Sequence, residues 1–335
     1  MQQSGGLQIM ATRPKLVIYQ PPYQAESLFH SAWFITAVNN YFQIETWIDQ
    51  PYPPETVFVV GCNHWINPAC QERFVDRRVI IDALWESRTG KWGGLVNTIN
   101  SNHVIFYGNA NEQAVVGTKL APSWFWVNES LWFQYREYNH YFPQRNLQKY
   151  FLMPIGHWRQ WRETIVNELQ PWLPNCYWSM VKQGRFLPGT KSSKRLDHRY
   201  MNPVWYDDTH FTMVLESARN WNEAVQFLTE KTYKPLAAYH PFMIIGAAGV
   251  LNLLKQQGFM TFDNLFDESY DLTNDLDQKI KIIKTNLDRF SWGTFDKETQ
   301  ERVEHNRHRF YNNGHVYERL KHEVIEPMYE FIESR

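Results

Sequence analysis

The stretch that decides the fold is FLTEKTYKPLAAYHPFMIIG, residues 227–246. Thr229 is a favourable N-cap for a helix that begins at Glu230, because its hydroxyl accepts a hydrogen bond from an amide of the first turn. The apolar segment PFMIIG follows and ends at Gly246, a pattern that predicts a buried strand. A helix followed by a buried strand is the repeating unit of parallel α/β sheets.

Strands and helices alternate through the second half of the chain. Further apolar strands are predicted at 149–156 (KYFLMPIG), 176–180 (CYWSM) and 211–217 (FTMVLES). Helical spacing is present at 158–173, at 247–258 and from 274 to the C-terminus. We therefore expect an α/β domain over residues 148–292, followed by C-terminal helices over 293–335.

The first half has the same character. Apolar strands are predicted at 15–19 (KLVIY), 56–62 (TVFVVGC), 78–84 (RVIIDAL), 103–108 (HVIFYG) and 123–127 (SWFWV), with a helix at 28–42. Continuous apolar runs are typical of parallel strands that are buried on both faces. We expect a flexible tail at 1–14 and an α/β domain at 15–147, so that two α/β domains face a cleft where a ligand binds.

Composition limits the classes of function. A net charge of −1 over 335 residues excludes a protein that binds polyanions with its whole surface, so a nucleic-acid contact would need a local patch. Aromatic residues are abundant at 16% of the chain, and their rings can stack on sugars and bases. Three cysteines give no disulfide framework, and no apolar run is long enough to span a bilayer, so we expect a cytoplasmic protein.

The predicted helix start at Thr229 is a candidate anion site. It offers free backbone amides and the positive end of the helix dipole, and Lys231 adds a full charge to the same turn. Glu230 would repel a phosphate, but its carboxylate can accept hydrogen bonds from two hydroxyls of a ribose or sugar. Glu216 and Ser217 come just after a predicted strand, where ligands meet such sheets. The alternative is a solvated ion pair on a helix surface.

These segments resemble the nucleotide-sugar-binding domain of GT-B glycosyltransferases. The nearest groups are the fucosyltransferase-like and exostosin-like enzymes, which include phage-encoded and viral members. The resemblance covers residues 149–290 and rests on Glu-Ser at 216–217, Thr-Glu-Lys-Thr-Tyr-Lys-Pro at 229–235, PFMIIG, GFMTF and DESYD. It implies two Rossmann-like domains facing a cleft and a UDP- or GDP-sugar as co-substrate, with no tightly bound cofactor.

The resemblance also implies roles for individual residues. In the family, the lysine of this helix start binds phosphate and the glutamate binds hydroxyls, which corresponds to Lys231 and Glu230 here. Glu216 corresponds to the family's acidic residue at the preceding strand end, also on the donor side. Fucosyltransferases usually have Glu-Asn where this chain has Glu216-Ser217, which leaves the donor sugar and its base open. We also predict that Thr229 and Gly246 belong to this donor site.

Two arginines follow the predicted strand that ends at Gly156. Arg159 and Arg162 lie on the loop and first helical turn of IGHWRQWRE (155–163), a favourable place for phosphate. The resemblance implies one arginine near the donor diphosphate, and Arg159 is the first candidate. The alternative for Arg162 is a surface pair with Glu163 or Glu168.

An inverting transferase needs a base that takes the proton of the acceptor hydroxyl. Asp82 and Glu86 lie at and just beyond the strand 78–84 and are the candidate catalytic residues, with Glu26 and His30 as rivals. Each could instead be a helix cap or a surface group. No D-x-D motif precedes a suitable strand, so we expect no metal site and a leaving diphosphate stabilised by positive side chains and a helix dipole.

The acceptor is a separate question. The basic stretch 182–199 includes Lys191, Lys194 and Arg195, which could contact a nucleic-acid backbone or could simply be solvated. We favour a hydroxymethylated pyrimidine in DNA, such as phage DNA, flipped into the site. A saccharide or glycan acceptor and a non-catalytic nucleotide-sugar-binding protein remain alternatives, and the oligomeric state is open.

Overall fold

Two parallel sheets carry the fold. The computed structural model describes residues 13–19, 32–84, 93–108, 116–190, 200–217, 226 and 228–334. The strands are β1 Lys15–Tyr19, β2 Gln43–Thr46, β3 Val57–Gly61, β4 Arg78–Ala83, β5 His103–Tyr107, β6 Thr118–Leu120, β7 Lys149–Ile155, β8 Tyr177–Met180, β9 Thr209–Leu215 and β10 Phe242–Ile245. The helices are α1 Ala32–Val38, α2 Cys62–Trp65, α3 Pro68–Phe74, α4 Trp124–Tyr135, α5 Gln160–Glu168, α6 Pro203–Asp208, α7 Glu230–Ala237, α8 Val250–Gln256, α9 Leu276–Arg289, α10 Lys297–Tyr311, α11 Asn313–Leu320 and α12 Glu326–Glu333. Residues 1–124 with 317–335 form one compact unit, and residues 125–316 form another.

The first unit contains a six-stranded sheet in the order β2-β1-β3-β4-β5-β6. Every neighbouring pair is parallel. The rings of Phe58, Trp65 and Phe74 pack with the aliphatic side chains of β4 and β5 in its core. The central strands are buried throughout, which explains why they read in the sequence as continuous apolar runs.

The C-terminal helix α12 belongs to this first unit. Tyr329 donates a hydrogen bond to the carbonyl of Tyr41 at 2.6 Å, and Arg78 donates to the carbonyl of Ile332 at 2.7 Å. The helices over 293–335 are therefore divided, because α10 lies in the second unit.

The second unit contains a four-stranded parallel sheet in the order β10-β9-β7-β8. Ile245 pairs with Leu215, so β9 and β10 end side by side at Glu216 and Gly246. Ile155 at the end of β7 pairs with Met180 of β8. The carboxyl ends of all four strands meet at one edge, which is where ligands bind in sheets of this kind. The prediction of two parallel α/β sheets is confirmed.

One predicted strand is wrong. The last four residues of SWFWV (123–127) form the beginning of the helix α4, which starts at Trp124. The apolar residues 124–127 are all buried, and so are the polar residues 128–130 that follow them, so this part of the helix has no solvent-exposed face. A helix that is buried on all sides lacks the alternation of apolar and exposed polar positions that distinguishes it from a buried strand.

Two further features are local. DESYD (267–271) caps the short 3₁₀ helix Glu268–Leu272 through Asp267, whereas α9 begins later with Asp275 as its N-cap. The edge strands β2 and β6 are short and partly polar, so their sequences carry little strand signal. Within the described ranges, no helix combines the length and the apolar character needed to cross a membrane.

Candidate functional site

Glu216 directly follows β9 and is the centre of a buried hydrogen-bond network. Its side chain is 1% exposed. Oε1 accepts hydrogen bonds from Thr229 N at 3.0 Å and from Thr232 Oγ1 at 2.6 Å. Oε2 accepts from Ser217 N at 3.0 Å and from Thr229 Oγ1 at 2.7 Å. Four donors thus stabilise a buried carboxylate and join the end of β9 to the start of α7.

The start of α7 keeps two charged side chains partly exposed. Thr229 is the N-cap, and its Oγ1 accepts from Lys231 N at 3.4 Å. Lys231 Nζ contacts the same oxygen at 3.3 Å and pairs with Glu230 Oε1 at 2.5 Å. The side chains of Lys231 and Glu230 are 24% and 15% exposed, so solvent, and therefore a ligand, can reach them.

Arg162 is a buried framework residue. Its guanidinium donates to the carbonyls of His157 at 2.9 Å, Leu215 at 3.0 Å and Glu216 at 2.7 Å. Burial lowers the pKa of Arg162 to about 10, while the negative charges of Glu216 and Glu230 raise it. The alternative of a surface pair for Arg162 is wrong, because the side chain is turned into the protein and is 3% exposed.

Arg159 differs from Arg162 although it lies on the same segment. It is the exposed N-cap residue of α5, and its guanidinium contacts the carbonyl of Trp158 at a long 3.4 Å. Its positive charge contributes to the lowered pKa of Arg162, which places the two arginines near each other. The fold therefore provides one arginine for the framework and one at the surface.

Gly246 packs closely against Glu216 and Val250. A Cβ at this residue would lie 3.2 Å from Val250 Cγ1 and 3.4 Å from Glu216 Cβ, so the glycine lets α8 approach the end of β9. The carbonyl of Gly246 accepts a hydrogen bond from Lys279 Nζ at 2.8 Å.

The backbone amides at the start of α8 donate hydrogen bonds to other groups of the protein. Leu251 N donates to Asp271 Oδ2 at 2.9 Å, Gly249 N donates to the carbonyl of Asp271 at 2.8 Å, and Ala248 N donates to Asn274 Oδ1 at 2.8 Å. Burial raises the pKa of Asp271 to about 6, and the charge of Lys279 partly opposes this.

Lys279 is fully buried, and burial lowers its pKa to about 8, with the Asp271 charge acting in the opposite direction. The pairing of Lys279 with Asp271 is not apparent from the sequence. The available signal was a lysine that shares an apolar helix face with Ile283 and Leu287.

Most of the remaining predicted site residues lie elsewhere in the chain. Asp82 lies in β4 of the first unit, is buried, and accepts from Leu84 N at 3.2 Å through Oδ1. Ser217 is exposed beside Glu216. The other candidates lie outside the described residues, namely Glu26, His30, Glu86, Lys191, Lys194 and Arg195. No group of three or more metal-ligating side chains comes together in the parts of the chain that the structure describes.

The chain as a whole is similar in fold to solved fucosyltransferases. A crystal structure of an α1,3-fucosyltransferase matches with a TM-score of 0.51 and 10% identity, over 98% of this chain and 93% of that chain. Crystal structures of an α1,3-fucosyltransferase with GDP-fucose and with GDP match at TM-scores of 0.45 and 0.43, both at 10% identity. The first of these two covers 93% of this chain and 94% of that chain, and the second covers 92% and 93%.

Sequence comparisons add no closer relative. No protein-family model matches the chain, and no curated protein matches it significantly. At 10% identity the structural similarity shows the fold alone, so the predicted fucosyltransferase-like GT-B fold is confirmed. The roles of individual residues stay predictions.

Proposed function

We propose that this protein is a glycosyltransferase that takes its sugar from a nucleoside diphosphate sugar. The observation that carries the proposal is the convergence of three separate segments at the carboxyl edge of the second unit's sheet. Arg162 joins the segment 155–163 to Glu216, and Glu216 joins β9 to Thr229 and the start of α7. This places a partly exposed Lys231–Glu230 pair beside the ends of parallel strands, where ligands bind in such folds.

The charges at this edge suit a diphosphate ester with hydroxyl groups. Lys231 and Arg159 supply positive charge from two segments of the chain, and the amides at the start of α7 add the helix dipole. These groups would stabilise the negative charge that develops on the leaving diphosphate. Glu230 would accept hydrogen bonds from donor hydroxyls, and its pair with Lys231 keeps that carboxylate from repelling the phosphates. Ser217 offers a further exposed hydroxyl next to Glu216.

The proposed reaction is a single displacement with inversion. The acceptor oxygen attacks the anomeric carbon while the bond from that carbon to the diphosphate oxygen breaks. The diphosphate leaves with the electron pair, and a carboxylate takes the acceptor proton. Asp82 is the candidate base within the described residues, and Glu86 is the second candidate. The proposal of a metal-independent reaction rests on the lack of a D-x-D motif in a suitable place in the sequence.

Calorimetric titration of GDP and UDP against the wild type, Lys231→Ala and Lys234→Ala tests the donor site. We expect Lys231→Ala to weaken binding by about 10- to 100-fold, because it removes a charge-assisted contact to phosphate. Lys234 lies on the same helix and contacts the carbonyl of Tyr200 at 3.4 Å, so Lys234→Ala is the matched control and should change affinity by less than about threefold. Absence of binding by the wild type, or equal affinity for all three proteins, would overturn the proposal.

For the acceptor we propose a hydroxymethylated pyrimidine in DNA, on the strength of the basic stretch 182–199. Such a stretch would neutralise phosphates, and binding should therefore weaken steeply with added salt. Mass spectrometry of hydroxymethylated duplex incubated with enzyme and GDP- or UDP-sugars would detect the transferred sugar. Transfer to an oligosaccharide instead would support the glycan alternative, whereas donor binding without hydrolysis or transfer would indicate a non-catalytic binding protein.

A further inference from the structure

We infer that Glu216 is a positioning residue that sets the start of α7, and that it does not itself bind the donor. Its consequence for ligand affinity rests on the proposed function. The positioning itself is a property of the ligand-free protein and can be measured without a ligand.

The carboxylate of Glu216 is already occupied by donors of the protein itself. A carboxylate has about four lone-pair directions for hydrogen-bond donors. Among the described residues, two backbone amides and two threonine hydroxyls approach the two oxygens at 2.6–3.0 Å. The side chain is also 1% exposed, so a donor hydroxyl would have to displace one of these internal bonds.

The bonds to Glu216 also fix the rotation of α7 about its axis. Thr232 is fully buried and contacts Glu216 Oε1, while Thr229 contacts both carboxylate oxygens. Residues three apart lie on the same face of a helix. Residues 229 and 232 bond to the carboxylate, whereas Glu230 and Lys231 between them pair with each other and keep their partial exposure. The carboxylate thereby decides where the charged pair points.

The backbone of Glu216 is in turn held by Arg162 of α5. Arg162 donates to the main-chain carbonyls of Leu215 and Glu216, and also to His157 at the end of β7. A planar guanidinium with several donors is well suited to bind neighbouring carbonyls at once. The backbone of Glu216 is therefore fixed by α5 and its side chain by α7. Arg162 and Glu216 together connect the loop that carries Arg159 to the turn that carries Lys231.

The test compares Thr232→Val with Thr232→Ser, together with Glu216→Gln. Valine keeps the shape of threonine but lacks the hydroxyl, whereas serine keeps the hydroxyl. Calorimetry would give the affinity of each variant for GDP, GDP-fucose and 2′,3′-dideoxy-GDP. Hydrogen–deuterium exchange of the segment 228–233 would be followed in the ligand-free proteins, with thermal unfolding as a check on folding.

We expect Thr232→Val and Glu216→Gln to weaken all three ligands by one common factor of about 10, because a bond to a buried charge is lost. Exchange at 229–232 should become faster in both variants. Thr232→Ser should remain within about threefold of the wild type and keep its slow exchange. A fully buried Thr232 cannot touch the ligand, so its effect on affinity reports positioning.

A direct role in donor binding would give a different pattern. The effect of Glu216→Gln would then disappear with 2′,3′-dideoxy-GDP or with GDP, according to whether the ribose or the sugar hydroxyls are the partners, and Thr232→Val would bind like the wild type. That pattern would overturn the inference. If the wild type binds none of these ligands and no UDP either, the proposed function fails separately, and unchanged exchange at 229–232 in Thr232→Val would still overturn the positioning role. Thr232→Val also serves where Glu216→Gln does not fold.

Discussion

The starts of α7 and α8 lie in the same unit and are built in similar ways, yet they differ in what they leave exposed. Each follows a strand of the same sheet edge, and each receives a buried carboxylate from a distant part of the chain. Glu216 accepts from Thr229 N, and Asp271 accepts from Leu251 N. At α7 the next residues are the partly exposed Glu230 and Lys231, whereas at α8 they are buried and apolar.

The difference shows when a helix start can serve as a ligand site. The amides of 248, 249 and 251 are bonded to Asn274 and Asp271, and the buried Lys279 occupies the carbonyl of Gly246. At the start of α8, the carboxylate of Asp271 and the ammonium group of Lys279 therefore occupy the backbone groups that a ligand would need. At α7 the buried carboxylate orients the turn, and the charged pair stays available. We therefore expect buried charges in this unit to support stability and exposed charges to support binding.

The strongest test of this distinction is the pair Arg162→Met and Arg159→Met. Arg162→Met leaves the buried carbonyls of Leu215 and Glu216 and the part-buried carbonyl of His157 without this donor, so the free energy of unfolding should fall by about 4 kcal/mol. Arg159→Met should change it by less than about 0.5 kcal/mol, because the side chain is exposed, but should weaken nucleoside diphosphate binding by about 10-fold. Urea unfolding and calorimetric titration measure the two effects. Similar losses of stability in both variants would break the distinction.

A second test is Lys279→Met, which removes the cation that binds the Gly246 carbonyl. The unfolding free energy should decrease by about 3 kcal/mol, because a buried carbonyl loses its donor and Asp271 loses a nearby positive charge. Lys281→Met on the exposed side of the same helix is the matched control, with an expected change below about 0.5 kcal/mol. Chemical denaturation of both variants decides the matter, and a loss below about 1 kcal/mol for Lys279→Met would contradict the assigned role.

The smallest expected effect is a pH dependence that arises at the start of α8. Burial, opposed by the Leu251 amide and by Lys279, raises the pKa of Asp271 to about 6, above its value in the unfolded chain. Between about pH 4 and pH 6 the folded state therefore binds more protons than the unfolded state, and the Asp271 contribution to stability decreases as the pH rises. Replacing the Asp271 carboxyl should therefore abolish this dependence of the unfolding free energy on pH.

Asp271→Asn keeps an oxygen for the Leu251 amide and provides the comparison. The unfolding free energy of the variant minus that of the wild type should increase by about 1–3 kcal/mol as the pH rises from about 4 to about 6. Denaturant unfolding at several pH values measures the difference. A constant difference across this range would show that Asp271 does not titrate there.

Much of the local structure was predictable because its signals are short-range. The Thr229 cap depends on a hydroxyl and an amide two residues apart, and it is present as predicted. The apolar runs identified β3, β4, β7, β9 and β10, since parallel strands are buried on both faces. The same rule failed for α4, where burial on every side produced an apolar run in a helix.

Hydrogen-bond partners that are distant in the chain could not be predicted from the sequence. Arg159 and Arg162 are three residues apart and chemically identical, and only the carbonyls of Leu215 and Glu216, more than 50 positions away, distinguish the buried one. The bond from Lys279 to Gly246 spans 33 residues and left no motif beyond a lysine on an apolar face. Glu216 was placed correctly at a strand end, but its partners on α7 were invisible in the sequence.

The class of fold, the cap of α7 and the charged pair that follows it can be predicted from the amino-acid sequence, because periodicity and capping depend on neighbours within one or two turns. Which charged residues are buried, which carbonyls and amides they bond, and which helix start stays accessible became known only from the folded chain. The cost of removing a charge from water depends on partners that the fold brings together, and those partners are distant in the chain.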